Sequence, residues 1–226
     1  DDSEARFNLG NSYQELGKHN EAIAEFKEVI RLKPDHAEAR YRLGVSYDKL
    51  GKYQDAFPEY KEAVRLKPDH ADAHYNLGNS YRKIGKYEEA VTEFKEVTRR
   101  KPDFIEAHKD LGVSYRKLLK HEEAIAEFEA VMRLNPDDSD AKYNLVRVVA
   151  ELKETLQTKP DRADAYYNLG LAYDLLEDGQ NAVNSMIQAA YLHNKNRSNA
   201  LAEEVNKKFR GLCKKYKLKP ENFPLK

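Results

Sequence analysis

The sequence predicts an all-α fold, a right-handed superhelical solenoid of stacked helical hairpins, and three observations lead there. Lys-Pro-Asp or a near relative recurs at Pro34, Pro68, Pro102 and Pro136, 34 residues apart each time. A fixed period of that length belongs to stacked repeats. Aligning on the prolines brings Gly10, Gly44, Gly78 and Gly112 into one column, and Tyr13, Tyr47, Tyr81 and Tyr115 into a second. Ala22, Ala56, Ala90 and Ala124 form a third, and Phe26, Tyr60, Phe94 and Phe128 a fourth. Between the columns, apolar residues keep helical intervals: Phe7, Leu9, Tyr13 and Leu16, then Ala22, Ile23, Phe26, Val29 and Ile30.

Each element has a local reason. Pro34 and its equivalents lack an N–H and exclude the α region for the residue before them, which ends the second helix of each unit. Asp35, Asp69, Asp103, Asp137 and Asp161 follow, placed as N-caps, with Glu38, Asp72, Glu106, Asp140 and Asp164 three residues on as capping-box partners. Gly17, Gly51 and Gly85 stand where the first helix must turn through a left-handed conformation, and Leu119 departs from that column. The glycines of the first column are expected to meet the alanine column across each hairpin. Four full units result within residues 1–136, periods 3–36, 37–70, 71–104 and 105–138.

The fifth unit is short. Pro136 to Pro160 is 24 residues, and 139–158 hold no Gly or Pro at which a hairpin could turn. Residues 137–160 are therefore expected to form a single helix of roughly 30 Å, with Val146 where an intact unit has glycine. Loss of one helix from an alternating stack reverses the next, so Tyr167 and Asn168 in the further hairpin at 161–196 should leave the first-helix row. Leu201, Val205, Phe209, Leu212 and Tyr216 predict a basic capping helix over 197–218, with a tail at 219–226.

The Leu-Gly-Tyr pattern of the first helices, the Ala and aromatic columns of the second and the closing Pro resemble the tetratricopeptide repeat family. The resemblance implies a concave inner face lined by first helices, on which partner proteins bind. It assigns Asn8, Asn11, Tyr41, Arg42, Val45, Tyr75, Asn76, Asn79, Arg82, Lys109, Val113 and Arg116 to that face as the partner-binding residues. Asparagines offer both an amide donor and a carbonyl to a peptide backbone, and tyrosines offer apolar area with a polar tip. Arg42, Arg82, Lys109 and Arg116, with Lys49, Lys83 and Lys117, form a basic flank beside Val45 and Val113, which would suit an acidic and aliphatic segment.

Composition excludes several other classes. The 226 residues carry 39 Lys+Arg and 39 Asp+Glu, so no basic excess draws the chain to nucleic acid. The longest apolar run, Ala189 to Leu192, is far below the roughly 20 residues of a membrane span. Cys213 stands alone, so it forms no intrachain disulfide and is read as a packing residue. No phosphate loop, nucleophile elbow or metal-ligand spacing appears. His70 and His74, four residues apart, read as surface histidines. The expected function is a protein-interaction module without catalytic residue, cofactor or metal, binding an extended or helical partner segment. The alternatives are a self-associating scaffold and the repeat arm of a larger enzyme. The Asp-Asp start suggests a chain trimmed from something longer, and cellular location stays open, the cytoplasm being favoured.

Overall fold

The computed structural model describes residues 2–196 and 199–220. Asp1, the first two residues of the capping segment and most of the 219–226 tail lie outside the described residues. Among those described, the chain is all-α. The helices are α1 (Asp2–Glu15), α2 (His19–Leu32), α3 (Ala37–Lys49), α4 (Tyr53–Leu66), α5 (Ala71–Lys83), α6 (Tyr87–Arg100), α7 (Ile105–Lys117), α8 (His121–Leu134), α9 (Ser139–Thr158), α10 (Ala163–Leu175), α11 (Gly179–Lys195) and α12 (Asn199–Lys215). The chain divides into two compact units, Asp1–Asp110 and Leu111–Lys226.

In the first unit α1 and α2, α3 and α4, and α5 and α6 pair as hairpins that stack through α2 on α3 and α4 on α5. Ala22, Phe26, Leu43, Ala56, Tyr60 and Leu77 are buried along this stack. Each large side chain so buried contributes about 1.5–3 kcal/mol. The glycine column meets the aromatic column, not the alanines expected. A Cβ on Gly44 would lie 2.7 Å from Cε1 of Tyr60, and one on Gly78 2.7 Å from Cε1 of Phe94. The aromatic ring reaches across the hairpin into the space that the missing side chain leaves.

The turns correct a second expectation. The His36 N–H donates to the Lys33 carbonyl (3.1 Å), and His70 repeats this with Lys67 (3.1 Å). Pro34-Asp35 and Pro68-Asp69 are thus the middle of β-turns, and the caps fall one residue later than predicted. His36 accepts the Ala39 N–H on its ring, His70 that of Ala73, and Asp138 that of Ala141. Glu38, freed from a capping box, turns to Arg42 and His70. Gly17, Gly51 and Gly85 take φ of 70°, 72° and 78°, and Leu119 takes 58° in the same position. Pro58 lies inside α4, an interior placement that costs about 3 kcal/mol.

In the second unit α9 runs unbroken for 20 residues, against 13 in α3 and α5. The seven extra residues extend it by about 10 Å. Glu122, Ile125, Ala126 and Glu129 on α8 border one cavity with Tyr167, Leu171, Asp174 and Leu175 on α10, and the starts of both helices meet round another at the end of α9. Helix α10 therefore runs parallel to α8 and turns back along α9, in the direction of a second helix. The overhanging end of α9, with Leu152, Thr155 and Thr158, and the starts of α8 and α10 enclose a further cavity of about 550 Å³. Gly170 packs on Met186 of α11, and α12 packs on α11 through Val205, Phe209 and Leu212. Tyr216 anchors the chain after α12 by donating to Asp174 (2.8 Å). Leu201, expected on the packed stripe, is exposed, while Cys213 is buried and its thiol is pushed up by burial.

Candidate functional site: the polar first-helix face

The first helices α1, α3 and α5 carry a row of polar groups linked from hairpin to hairpin. Gln14 of α1 donates its amide to the Arg42 carbonyl (2.8 Å) and to the Ser46 hydroxyl (2.7 Å) of α3. Tyr41 packs its ring on His70, centroids 4.6 Å apart. Its hydroxyl lies within reach of the Asn76 carboxamide, and burial leads the causes that raise its pKa. Tyr75 packs on Phe104 and donates to Asp110 (3.0 Å), with its hydroxyl pushed up to about 12, chiefly by burial and the Asp110 charge. Arg82 donates to Asn79 (3.1 Å) and pairs with Asp110 (3.4 Å). Burial nevertheless outweighs that cation and raises the Asp110 carboxyl.

This geometry changes the reading of the basic flank. Arg42 is held by Glu38 (2.9 Å), whose carboxyl falls to about 2, first through its hydrogen bond to His70 and then through Arg42, against desolvation. Arg82 is held by Asp110. In the second unit Arg116 is only 7% exposed and pairs with Glu151 (2.5 Å), which also meets His121 (3.3 Å). The three arginines are neutralised within the chain.

The other expected residues fall as follows. Asn8 is exposed on α1. Asn11 is half-buried, and its carboxamide oxygen has no partner. Val45 packs against the core beside Tyr41. Lys109 is half-buried beside the Asp110 charge. Val113 is half-buried in the second unit. Asn168 is buried with an unpartnered carboxamide oxygen, and Tyr167 reaches Glu204 of α12. His74 is buried and His70 half-buried, held by Glu93 (2.6 Å) and Glu38 (3.0 Å) respectively. Among the described residues no three His, Cys, Asp or Glu side chains converge on a metal position.

Sequence reasoning missed Gln14 and Asp48, gave Glu38 only a capping role, and noted Asp110 as a departure on the inner face without its partners Tyr75 and Arg82. Three of its pairs span neighbouring units, as in Gln14–Ser46, Glu38–His70 and Tyr75–Asp110. One signal was present: the twelfth position of each full unit is polar, being Gln14, Asp48, Arg82 and Arg116, and each ties to another element. Asp48 does so by accepting the Tyr60 hydroxyl (2.8 Å).

Stacked helical hairpins with a polar first-helix face define a helical-repeat protein. Tetratricopeptide repeat matches cover residues 7–71, 49–111, 105–138 and 163–196, and the chain belongs to that family. No curated protein sequence matches it. Among solved structures, the crystal structure of MamA is 22% identical, covers 87% of this chain and 94% of its own, and superposes with a TM-score of 0.57. YrrB, described as a TPR protein with an unusual peptide-binding site, is 21% identical over 89% of this chain and 90% of its own, TM-score 0.57. MamA from residue 41 onward of Desulfovibrio magneticus RS-1 is 21% identical over 86% and 97%, TM-score 0.57. At such identities the likeness is one of fold. No described helix is long and apolar enough to cross a membrane.

Proposed function

We propose that the chain is a protein-interaction module that takes an extended or helical segment of a partner protein on its first-helix face, without catalysis of its own. The observation that carries this is the row Tyr41, Tyr75, Asn76 and Asn79 in the first unit, half-exposed and held in place by hydrogen bonds to its own chain. Side chains already fixed lose little entropy when a ligand arrives. The family fold supports the reading, as does the peptide-binding site named for YrrB.

The ion pairs refine the partner. With Arg42 and Arg82 neutralised, this face reads a backbone through amides and hydroxyls more than it attracts acidic side chains. Panning a displayed peptide library against the chain tests this. Enriched peptides should bind the Asn76→Ala/Asn79→Ala variant about tenfold more weakly, the loss of roughly 1.4 kcal/mol that such hydrogen bonds supply. Enrichment of none, or binding indifferent to both substitutions, removes the proposal.

A further inference from the structure

A different surface of the first unit breaks several rules of economical folding at one place. At the edge where α4 begins and α5 ends, Tyr53, Gln54, Phe57, Ser80, Lys83 and Ile84 line a cavity of about 450 Å³. Tyr53 is 52% and Ile84 61% exposed, although the floor beneath them is ordered by Phe57 packing edge-on against Tyr81, centroids 5.2 Å apart. The Lys83 ammonium lies 3.9 Å from the Tyr53 ring centroid and holds that ring upright. At the preceding junction the matching residues are His19, Asn20, Ile23, Ser46, Lys49 and Leu50, so the aromatic wall is not a property of the repeat.

Pro58 adds an independent oddity. It stands where the other full units have Ala24, Thr92 and Ala126, and without an N–H it withdraws the helical donor from the carbonyl of Gln54, a residue of the cavity wall.

Charge identifies what fits. Lys83 lines the cavity, Lys52 and Lys86 lie within two residues of lining residues in sequence, and Lys49 ends α3 at the preceding junction; all four are exposed. Lys86 is taken up by Glu89 (3.6 Å), whereas Lys49, Lys52 and Lys83 have no ion pair among the described residues. Asp55 and Glu88 are the remaining acids of the two adjoining helix starts.

We propose that this edge is a second docking site, for an acidic segment of a partner protein that inserts one large apolar side chain between Tyr53, Phe57 and Ile84. Its carboxylates face Lys83 and Lys52 at the cavity and Lys49 beyond it.

The chain contains no Trp, so a synthetic peptide of Asp and Glu around one central Trp reports its own binding by fluorescence. The expected result is a saturable blue shift of Trp emission. Ile84→Asp and Lys83→Glu, both at exposed positions, should weaken binding about tenfold or more with an unchanged helical circular dichroism spectrum. Asn76→Ala on the first-helix face should leave it untouched. Absence of a shift, equal binding of a Lys/Trp peptide, indifference to Ile84→Asp and Lys83→Glu, or loss of binding in Asn76→Ala would each overturn the edge site. Only the last of these results would favour the first-helix face.

Discussion

Helices α5 and α9 begin from nearly the same words, Asp-Ala-His-Tyr-Asn-Leu-Gly and Asp-Ala-Lys-Tyr-Asn-Leu-Val, and end in different surroundings. In α5 the Gly78 backbone lies against the Phe94 ring of α6. In α9 the matching Val146 is 54% exposed, and the helix runs on for two further turns with Val148, Val149 and Leu152 buried. The comparison teaches that glycine in this column answers to a partner helix. Where the partner is deleted, the requirement lapses and the helix is free to lengthen.

The sharpest way to break that comparison is to exchange the residues. Gly78→Val puts a side chain where 2.7 Å separates an added Cβ from Phe94, and should cost about 3 kcal/mol in urea denaturation. Val146→Gly removes no buried contact and should cost only about 0.5–1 kcal/mol, the helix penalty of glycine. Equal losses would mean that the column reflects helix propensity and not packing.

The next largest effect concerns the residue that α9 supplies to α7. Glu151→Ala strands the nearly buried Arg116 and should cost about 2–3 kcal/mol, toward the low end for breaking a buried pair because Glu151 keeps partial exposure. Glu28→Ala, which unpairs the exposed Arg31, should change stability by about 0.5 kcal/mol or less. Thermal melts of both variants check the contrast.

These pairs mark the limit of what the sequence discloses. The hairpins were legible because their causes are local: the 34-residue period, Pro34 closing α2, and Gly17, Gly51 and Gly85 taking positive φ. The long α9 was legible from the want of any turn residue in 139–158. Arg116–Glu151, 35 residues apart, and Arg82–Asp110, 28 apart, depend on how successive hairpins stack, and no local rule fixes that register. For the same reason the residue types did not disclose that Arg42, Arg82 and Arg116 of the cationic flank are held in ion pairs, while its Lys49 and Lys83 have none among the described residues. The cap error has another origin. Asp35 is a good N-cap by type, but Pro34 commits it to a turn, and His36 takes the role by position.

A smaller effect should follow pH and separate the third full unit from the first two. Arg6–Glu25 and Arg40–Glu59 are matched in the third by His74–Glu93. Burial works against the His74 charge, yet the hydrogen bonds to Glu93 and to the Pro68 carbonyl, with the Glu93 and Glu96 charges, raise its pKa overall. A raised folded pKa binds the proton more tightly than the unfolded chain does. The resulting stability is complete below the unfolded value of about 6.5 and is lost as pH rises through the folded one. His74→Arg should abolish that loss, so its melting temperature minus that of the wild type should grow more positive between pH 6 and 9. A difference constant with pH would show that His74 is already neutral.

The smallest and cleanest contrast lies in the turn column. A Cβ on Gly85 would meet nothing within 4 Å, as at Gly17 and Gly51, so only the backbone angle asks for glycine there. Leu119 holds the same left-handed angle with its side chain 69% exposed, so it bears the conformational cost with little burial to offset it. Gly85→Leu should therefore destabilise by about 1 kcal/mol, and Leu119→Gly should stabilise by a similar amount, reduced by the extra freedom that glycine gives the unfolded chain. Opposite signs in urea denaturation would confirm that the column is governed by φ alone. Loss of stability in Leu119→Gly would instead show that the leucine packs against something, and the cavity that it borders with Leu152 and Ala165 at the α9 overhang is where that contact would lie.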